Sequence, residues 1–515
     1  MKIRHSVTIT PGIYPLDAPE DSAIISIAGE NIVVDFNQAV LQGSPAIQRP
    51  DEFRGFAIRV TKGSHNIQIK NAFVHGFAVA IIADSVTALS IHDCNLGYNK
   101  RQHLNSHLQK EDISDWMSFH HNEKDEWLRY GAAIYLKNCS KANIHDNTVT
   151  GGQCALLMSR CTNGDIYDNN FSFNSGLGIG LYRSSGNRVY HNRLDYNVRG
   201  YYDGQYYRGQ DSAGILVFEQ SSDNSFVYNS VTHSGDGFFL WAGQQTLDSG
   251  EGGCNDNFIY GNDFSDAPTN GIEVTFSRNL IMKNTIRNCW HGVWGGYSYD
   301  TDITDNTFSR NEIGIAIEHG QGINIALNSF TDDKTAIKLW SRAQQPSDWV
   351  YARKKNTESR NYWIAANRFT GTPIAMDIMG TDTIALSGNT MFMVGQAVKT
   401  GPRVEEVDSS RENDPLEMEY EPDPRLKTIP AKSLPVTGLA LGRNHIRITE
   451  WGPYNFAYPL LWLKAIDTSG NYHYEILGPE GHWQVKSIAG FRILEKGGEE
   501  FPSTLILQPD RSVAE

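Results

Sequence analysis

The chain has no run of 18 apolar residues, so no membrane-spanning helix is expected. It also has no positive balance. A net charge of −14 makes it a poor partner for nucleic acid, because non-specific affinity there comes from neutralising phosphates. Its six cysteines (Cys94, Cys139, Cys154, Cys161, Cys254, Cys289) form no Cys-x-x-Cys pair and come with no paired-histidine motif. That pattern argues against a structural zinc site and leaves buried thiols as the expectation. The Gly-rich stretch 244–255 contains neither a Gly-x-Gly-x-x-Gly nor a Lys-Ser/Thr phosphate cradle, so nothing points to a nucleotide. No metal and no other cofactor is expected. The first residues, Met1-Lys-Ile-Arg-His-Ser-Val, lack the apolar stretch of a secretory signal. The protein is then cytoplasmic, or it is periplasmic or extracellular after removal of a leader.

What the sequence does have is one phrase, apolar-x-x-Asn-x-apolar, that keeps returning between Asn71 and Asn389. It reads Ile144-His-Asp-Asn147-Thr-Val149, Ile166-Tyr-Asp-Asn169-Asn-Phe171, Val189-Tyr-His-Asn192-Arg-Leu194 and Ile259-Tyr-Gly-Asn262-Asp-Phe264. It goes on through Asn284, Asn306, Asn328 and Asn367, and most successive asparagines lie 22 or 23 residues apart. Such a period with strand-like alternation is the signature of a solenoid whose units bury their apolar faces on each other. The asparagines are expected to form an interior ladder and are given no catalytic role. Each unit carries a second alternating run behind a small residue, as in Gly214-Ile-Leu-Val-Phe218-Glu219, Gly237-Phe-Phe-Leu-Trp241 and Gly271-Ile-Glu273-Val. Residues one and three places after the small residue face inward, and the columns between them face solvent at about 4.8 Å per turn.

On these repeats the chain resembles the right-handed parallel β-helix superfamily of pectate lyases, polygalacturonases and other carbohydrate-active enzymes. The resemblance spans roughly residues 30–400. It implies an all-β, single-stranded parallel β-helix and a carbohydrate partner. The polygalacturonase set of Asn-Thr-Asp, Asp-Asp, Gly-His-Gly and Arg-Ile-Lys is absent, as is the Asp-Pro-His-Asp of mannuronan epimerases. The resemblance therefore carries no catalytic signature.

The organisation read from the chain is capping strands over 1–50 and a β-helix over 51–400. Insertions are expected near 99–130, 201–211, 244–255 and 341–363. An acidic linker follows over 401–437, and six short alternating runs predict a small β-sandwich over 438–515. The first insertion is expected to hold one short helix capped by Ser114 or Asp115. The second is dense in tyrosines, and Tyr202 and Arg208 are candidate sugar contacts because rings stack on sugars while their hydroxyls hydrogen-bond. In the C-terminal unit Trp451, Tyr454, Trp462 and Trp483 could serve a glycan or a core.

The solvent columns hold the chemistry. Lys137, Arg160, Arg183 and then Glu219 read as one column on successive turns, and Trp241, Glu273, Trp294, Tyr297, Glu318, His319 and Trp340 follow. Exposed aromatics interleaved with carboxylates suit an oligosaccharide lying along the axis. Asp236 and Glu273 lie one turn and three residues apart, about 11 Å between backbones; Glu273 and Glu318 come to about 12 Å. Leaning side chains could close either gap to the ~6.5–9.5 Å of an inverting pair. The expectation is a glycoside hydrolase with Glu273 central, Asp236 or Glu318 as partner, and His319 orienting the latter. One alternative is a lyase or epimerase acting on a uronate glycan, with the Lys/Arg column neutralising the carboxylate. The other is a non-catalytic glycan-binding β-helix. A main groove lined by Trp241, Trp294 and Trp340 is predicted.

Overall fold

The computed structural model describes residues 1–404, 406–411, 423–434 and 442–510. Among these, two parallel sheets of 15 strands each run the length of a right-handed parallel β-helix, and five-stranded and three-stranded parallel sheets share the third face. Every coil feeds the first sheet, then the second, then the third, as a right-handed winding requires.

The asparagine phrase explains the winding. The residue before each ladder asparagine adopts the left-handed conformation, as at Asp146, Asp168, His191, Tyr228 and Lys283. That positive φ turns the chain sharply between the second and third sheets. The asparagine side chain then points inward, and its amide donates to the Oδ1 of the next. The chain of bonds runs from Asn147 to Asn389 at 2.9–3.1 Å. Further amide donations reach buried backbone carbonyls, such as Asn262 Nδ2 to Phe226 O at 2.9 Å. Beside this ladder Ile215, Phe238, Ile272 and Val293 stack in register and are fully buried. Burying each such side chain is worth about 1.5–3 kcal/mol, so the column sustains the stack. All six cysteines are free and buried.

Three boundaries differ from those read in the sequence. Residues 1–50 are not a separate cap: Lys2–Ile3, Val7–Thr8 and Ile13–Leu16 pair in parallel with Ala23–Ile27, Glu30–Asp35 and Val40–Gly43. They are the first two coils of the solenoid. At the other end Val407–Arg411 still pairs with Thr381–Ser387, so the solenoid passes residue 400. The expected acidic linker lies outside the described residues at 405, 412–422 and 435–437. Its described part, 423–434, packs Leu426 and Ile429 on Phe258, Val227 and Tyr190 of the second sheet. The expected sandwich begins outside the described residues, at 438–441; residues 442–510 form a four-stranded antiparallel sheet and a two-stranded antiparallel ladder. Tyr454 and Trp462 are buried there, Trp462 donating to Ile448 O at 3.1 Å, so both serve packing.

The first insertion contains no α-helix. It has two 3-10 turns, Ile113–Asp115 and Glu126–Tyr130, and the first is capped by Asp112, which accepts from the Ser114 N–H at 2.9 Å. Met117, Phe119, Trp127 and Tyr130 lie on outward-facing residues of the first sheet, with Trp127 fully buried against Tyr182 and Phe218.

Candidate functional site

Beyond that covered stretch, the outer face of the first sheet opens into a cleft of two lobes, about 210 and 320 Å³. Asp211, Phe239 and Glu273 line both lobes, so the two form one space. Its combined size falls in the about 300–1,000 Å³ range of ligand sites. Phe119, His120, Phe218 and Trp241 surround one lobe; Trp116, Arg208, Asp236, Asn270 and Trp290 surround the other.

Strand register assembles the acids. Asp236 opens the strand Asp236–Trp241, and Phe239 on that strand pairs with Glu273 on Asn270–Val274. Asp236 thus lies beside Asn270, one turn and three residues from Glu273, the offset read from the sequence. Asn270 connects the two: its backbone N–H donates to Asp236 Oδ1 at 2.8 Å, and its Nδ2 donates to Glu273 Oε2 at 3.0 Å. The amide is oriented by His291, whose Nδ1–H donates to Asn270 Oδ1 at 2.9 Å. His291 in turn lies against the rings of Trp290 and Trp294.

Asp211 arrives from the second insertion, and a close backbone approach puts it there. A Cβ on Gly209 would meet the Gly235 Cα at 2.5 Å, so the insertion rests directly on the chain leading into Asp236. Gly209 also donates to Thr269 Oγ1 at 3.2 Å.

Burial raises all three carboxyl groups in this partly dry cleft, and the fields of neighbouring acids add to it at Asp236 and Glu273. Burial, followed by the negative fields of Asp236 and Asp211, pushes Glu273 well above the usual carboxylate range. Burial raises Asp236 to about 7, with Asp211 adding to it, and burial raises Asp211 to about 6. His291 is pushed down to about 4 by burial, with Lys338 adding to it, so it is a neutral donor. Near neutral pH the cleft holds at least one protonated carboxyl beside an ionised one, which is the equipment of general acid–base chemistry.

Other residues singled out in the sequence go elsewhere. Lys137 does not share a column with the arginines: its register neighbours are Ser159, then Tyr182, Phe218 and Trp241. Arg160, Arg183 and Glu219 sit one residue later, on a left-handed corner. There Arg160 and Arg183 both pair with Glu123 of the first insertion, Arg183 also pairs with Glu219, and Lys137 pairs with Asp125 at 2.6 Å. The cations are neutralised from within, Lys137 and Asp125 line a cavity of about 510 Å³ apart from Glu273, and Glu219 is buried. Glu318 and His319 are engaged by the 341–363 insertion, and His319 lines a separate cavity of about 290 Å³ with Tyr297. Glu318 accepts from Arg342 Nε at 2.6 Å and Trp340 Nε1 at 2.9 Å. His319 donates from Nδ1 to Thr357 O at 2.6 Å and accepts at Nε2 from the Arg342 N–H at 2.9 Å. Both hold the 341–363 insertion, and neither comes to Glu273. Tyr297 is buried between Phe276 and His319, its ring stacked on both. Trp340 leans on Trp294 at 5.5 Å. Of the three tryptophans expected in the groove, Trp241 lines the cleft and Trp294 adjoins Glu273 on the next turn. Tyr202 stacks on Trp462 of the C-terminal unit and does not line the cleft. Arg208 is at the rim, over the Trp116 ring.

Asp211, Asn270 and His291 were not singled out by sequence reasoning. Asp211 stands two residues ahead of Ala213, the register partner of Asp236.

The family described as "Right handed beta helix region" matches residues 113–249 and 212–347. No curated protein matches the sequence. Among solved structures, a double mutant of the periplasmic alginate epimerase AlgG is 12% identical, covering 77% of this chain and 77% of that one, with a TM-score of 0.40. The DFA-IIIase of Arthrobacter chlorophenolicus A6 in complex with GF2 is 13% identical over 62% of this chain and 69% of its own, at 0.36. The A-module of the mannuronan C-5 epimerase AlgE4 of Azotobacter vinelandii is 13% identical over 78% and 91%, at 0.33. Likeness at these scores says nothing of substrate or reaction.

Proposed function

We propose that this right-handed parallel β-helix protein is a carbohydrate-active enzyme, a glycoside hydrolase that acts on a neutral oligo- or polysaccharide in the Asp211–Asp236–Glu273 cleft. The observation that carries the reading is the convergence of three carboxyl groups, all raised by burial, in a space walled by aromatic rings. Rings stack on the apolar faces of sugars, and a protonated and an ionised carboxyl are what glycosidic cleavage needs.

The roles follow from exposure and bonding. Glu273, its carboxyl pushed well above the usual range by burial and held by Asn270, is the general acid: its proton goes to the glycosidic oxygen as the bond to the anomeric carbon breaks. Asp211 faces both lobes and is ionised above about 6, so it takes a proton from water while the water oxygen bonds to the anomeric carbon. Asp236 is 6% exposed with one oxygen engaged by the Asn270 N–H, and it acts by keeping Glu273 protonated. Water supplies the hydroxyl and the two protons exchange with solvent, so the cycle closes.

Elimination from a uronate loses its support, since Lys137, Arg160 and Arg183 are already paired. A substrate carboxylate in the cleft would instead meet three acids. The test is Glu273→Gln, assayed by reducing-end release from neutral glycans. A fall in kcat of about 10²–10⁴ with the fold intact is expected; undiminished turnover would remove Glu273 from the mechanism.

A further inference from the structure

Along the first sheet the cleft is bounded on one side only. Toward the N-terminal coils, Trp116, Phe119 and His120 of the first insertion rise directly from its edge. The insertion behind them covers the outward faces of Leu157 and Leu177, and the next opening on this face, lined by Arg59, Ile82, Tyr135 and Lys137, lies on the far side of it. This wall is braced. His120 packs edge-on against Trp241, the Met117 N–H donates to Gln210 O at 3.2 Å, and Tyr206 OH donates to His107 O at 3.0 Å. The first and second insertions are thereby clasped into one rim that carries both Asp211 and the wall. Toward the C-terminal coils the sheet presents Trp290, 42% exposed, and then Trp294 and Trp340.

Leu216, on the floor of that lobe beside Phe119 and His120, pairs with Phe239 and Phe239 with Glu273, so the acid stands two turns from the foot of the wall, ~10 Å at 4.8 Å per turn. That is space for a short saccharide end and not for a continuing chain.

We propose that the cleft is a blind-ended site: the protein takes one terminus of a linear glycan against the Trp116–Phe119–His120 wall, with the remainder leaving over Trp290 and Trp294. This rests on the hydrolase reading and adds its mode of attack, release of a short unit of uniform length from a chain end.

Two measurements test it, and they fail separately. In the first, wild-type protein is given linear neutral polysaccharides (α- and β-glucans, mannan, galactan, fructan), and product and residual polymer sizes are followed at low conversion. The expected result is a single short product while the polymer keeps its length. An early fall in polymer length with mixed products, abolished by Glu273→Gln, overturns the blind end and leaves hydrolysis standing. The second uses binding alone. Glu273→Gln is titrated with linear α- and β-gluco-oligosaccharides, with cyclic α-glucans, and with the linear ones capped by bulky groups at both ends. Tighter binding of a free-ended form by at least about tenfold supports the wall. Equal affinity for capped, cyclic and free forms refutes it whether or not turnover has been seen, and binding of none refutes both readings. Phe119→Ala and His120→Ala supply a third reading: lowering the wall lengthens the released unit, and an unchanged product from a folded variant counts against the proposal.

Discussion

Asp236→Asn separates a charged catalytic cleft from three ordinary surface acids without any knowledge of the substrate. Asp236 is 6% exposed, and its carboxyl is raised from 3.8 to about 7 by burial and by Asp211. A carboxyl whose folded value is raised binds more protons folded than unfolded. It therefore costs nothing below about pH 4, costs progressively more as pH rises from about 4 to about 7, and carries its full penalty above that. A shift of this size corresponds to about 4 kcal/mol. Asparagine keeps an oxygen for the Asn270 N–H, which bonds Asp236 at 2.8 Å, and removes the charge. Urea unfolding of wild type and variant between pH 4 and pH 8 should give matching stabilities at the acid end. Toward pH 8 the variant should gain by up to about 4 kcal/mol, less where Asp211 and Glu273 share the relief. The same variant should lose activity, the usual trade where a strained site is relaxed. A stability difference that does not change with pH, or a variant less stable at pH 8, would refute the electrostatic account of the cleft.

Other consequences can be checked beside it. Activity should fall as pH drops below about 6, where Asp211 takes up a proton, and should fall again on the alkaline side as Glu273 loses its own; kcat/KM against pH, in wild type and in Asp211→Asn, reports both limbs. His291→Ala should lower kcat roughly tenfold with little change in KM and shift the alkaline limb, because it frees the Asn270 amide that donates to Glu273; an effect on KM alone would contradict that positioning role. Asn262→Ala should cost roughly 2–5 kcal/mol in urea unfolding, since it strands the Phe226 carbonyl and the Asn229 N–H in the interior.

The winding was legible because it is written once per coil. A period of 22, an interior asparagine and alternation on the next strand fix which side chains point in, and the register of Phe239 with Glu273 confirms the offset reasoned from spacing. Misreadings came where the chain leaves that rule. Arg160, Arg183, Glu219 and His319 fall one residue beyond the strand, on a corner with positive φ, so counting them into a solvent column was an error of one position. Glu318 is indeed an outward strand end, yet the 341–363 insertion folds back and takes it through Arg342. The paths of long insertions leave no periodic trace, so neither the capture of Glu318 nor the delivery of Asp211 was readable from spacing. The same holds for Tyr202, whose ring is claimed by Trp462 across 260 residues of sequence.

Hydrolysis in ¹⁸O-labelled water bears most directly on the central claim. Wild-type protein acting on a neutral glycan should place one labelled oxygen in the product for every bond cleaved, and Glu273→Gln should abolish that incorporation. Cleavage that yields unsaturated ends without label, or labelled product that persists in Glu273→Gln, would contradict it.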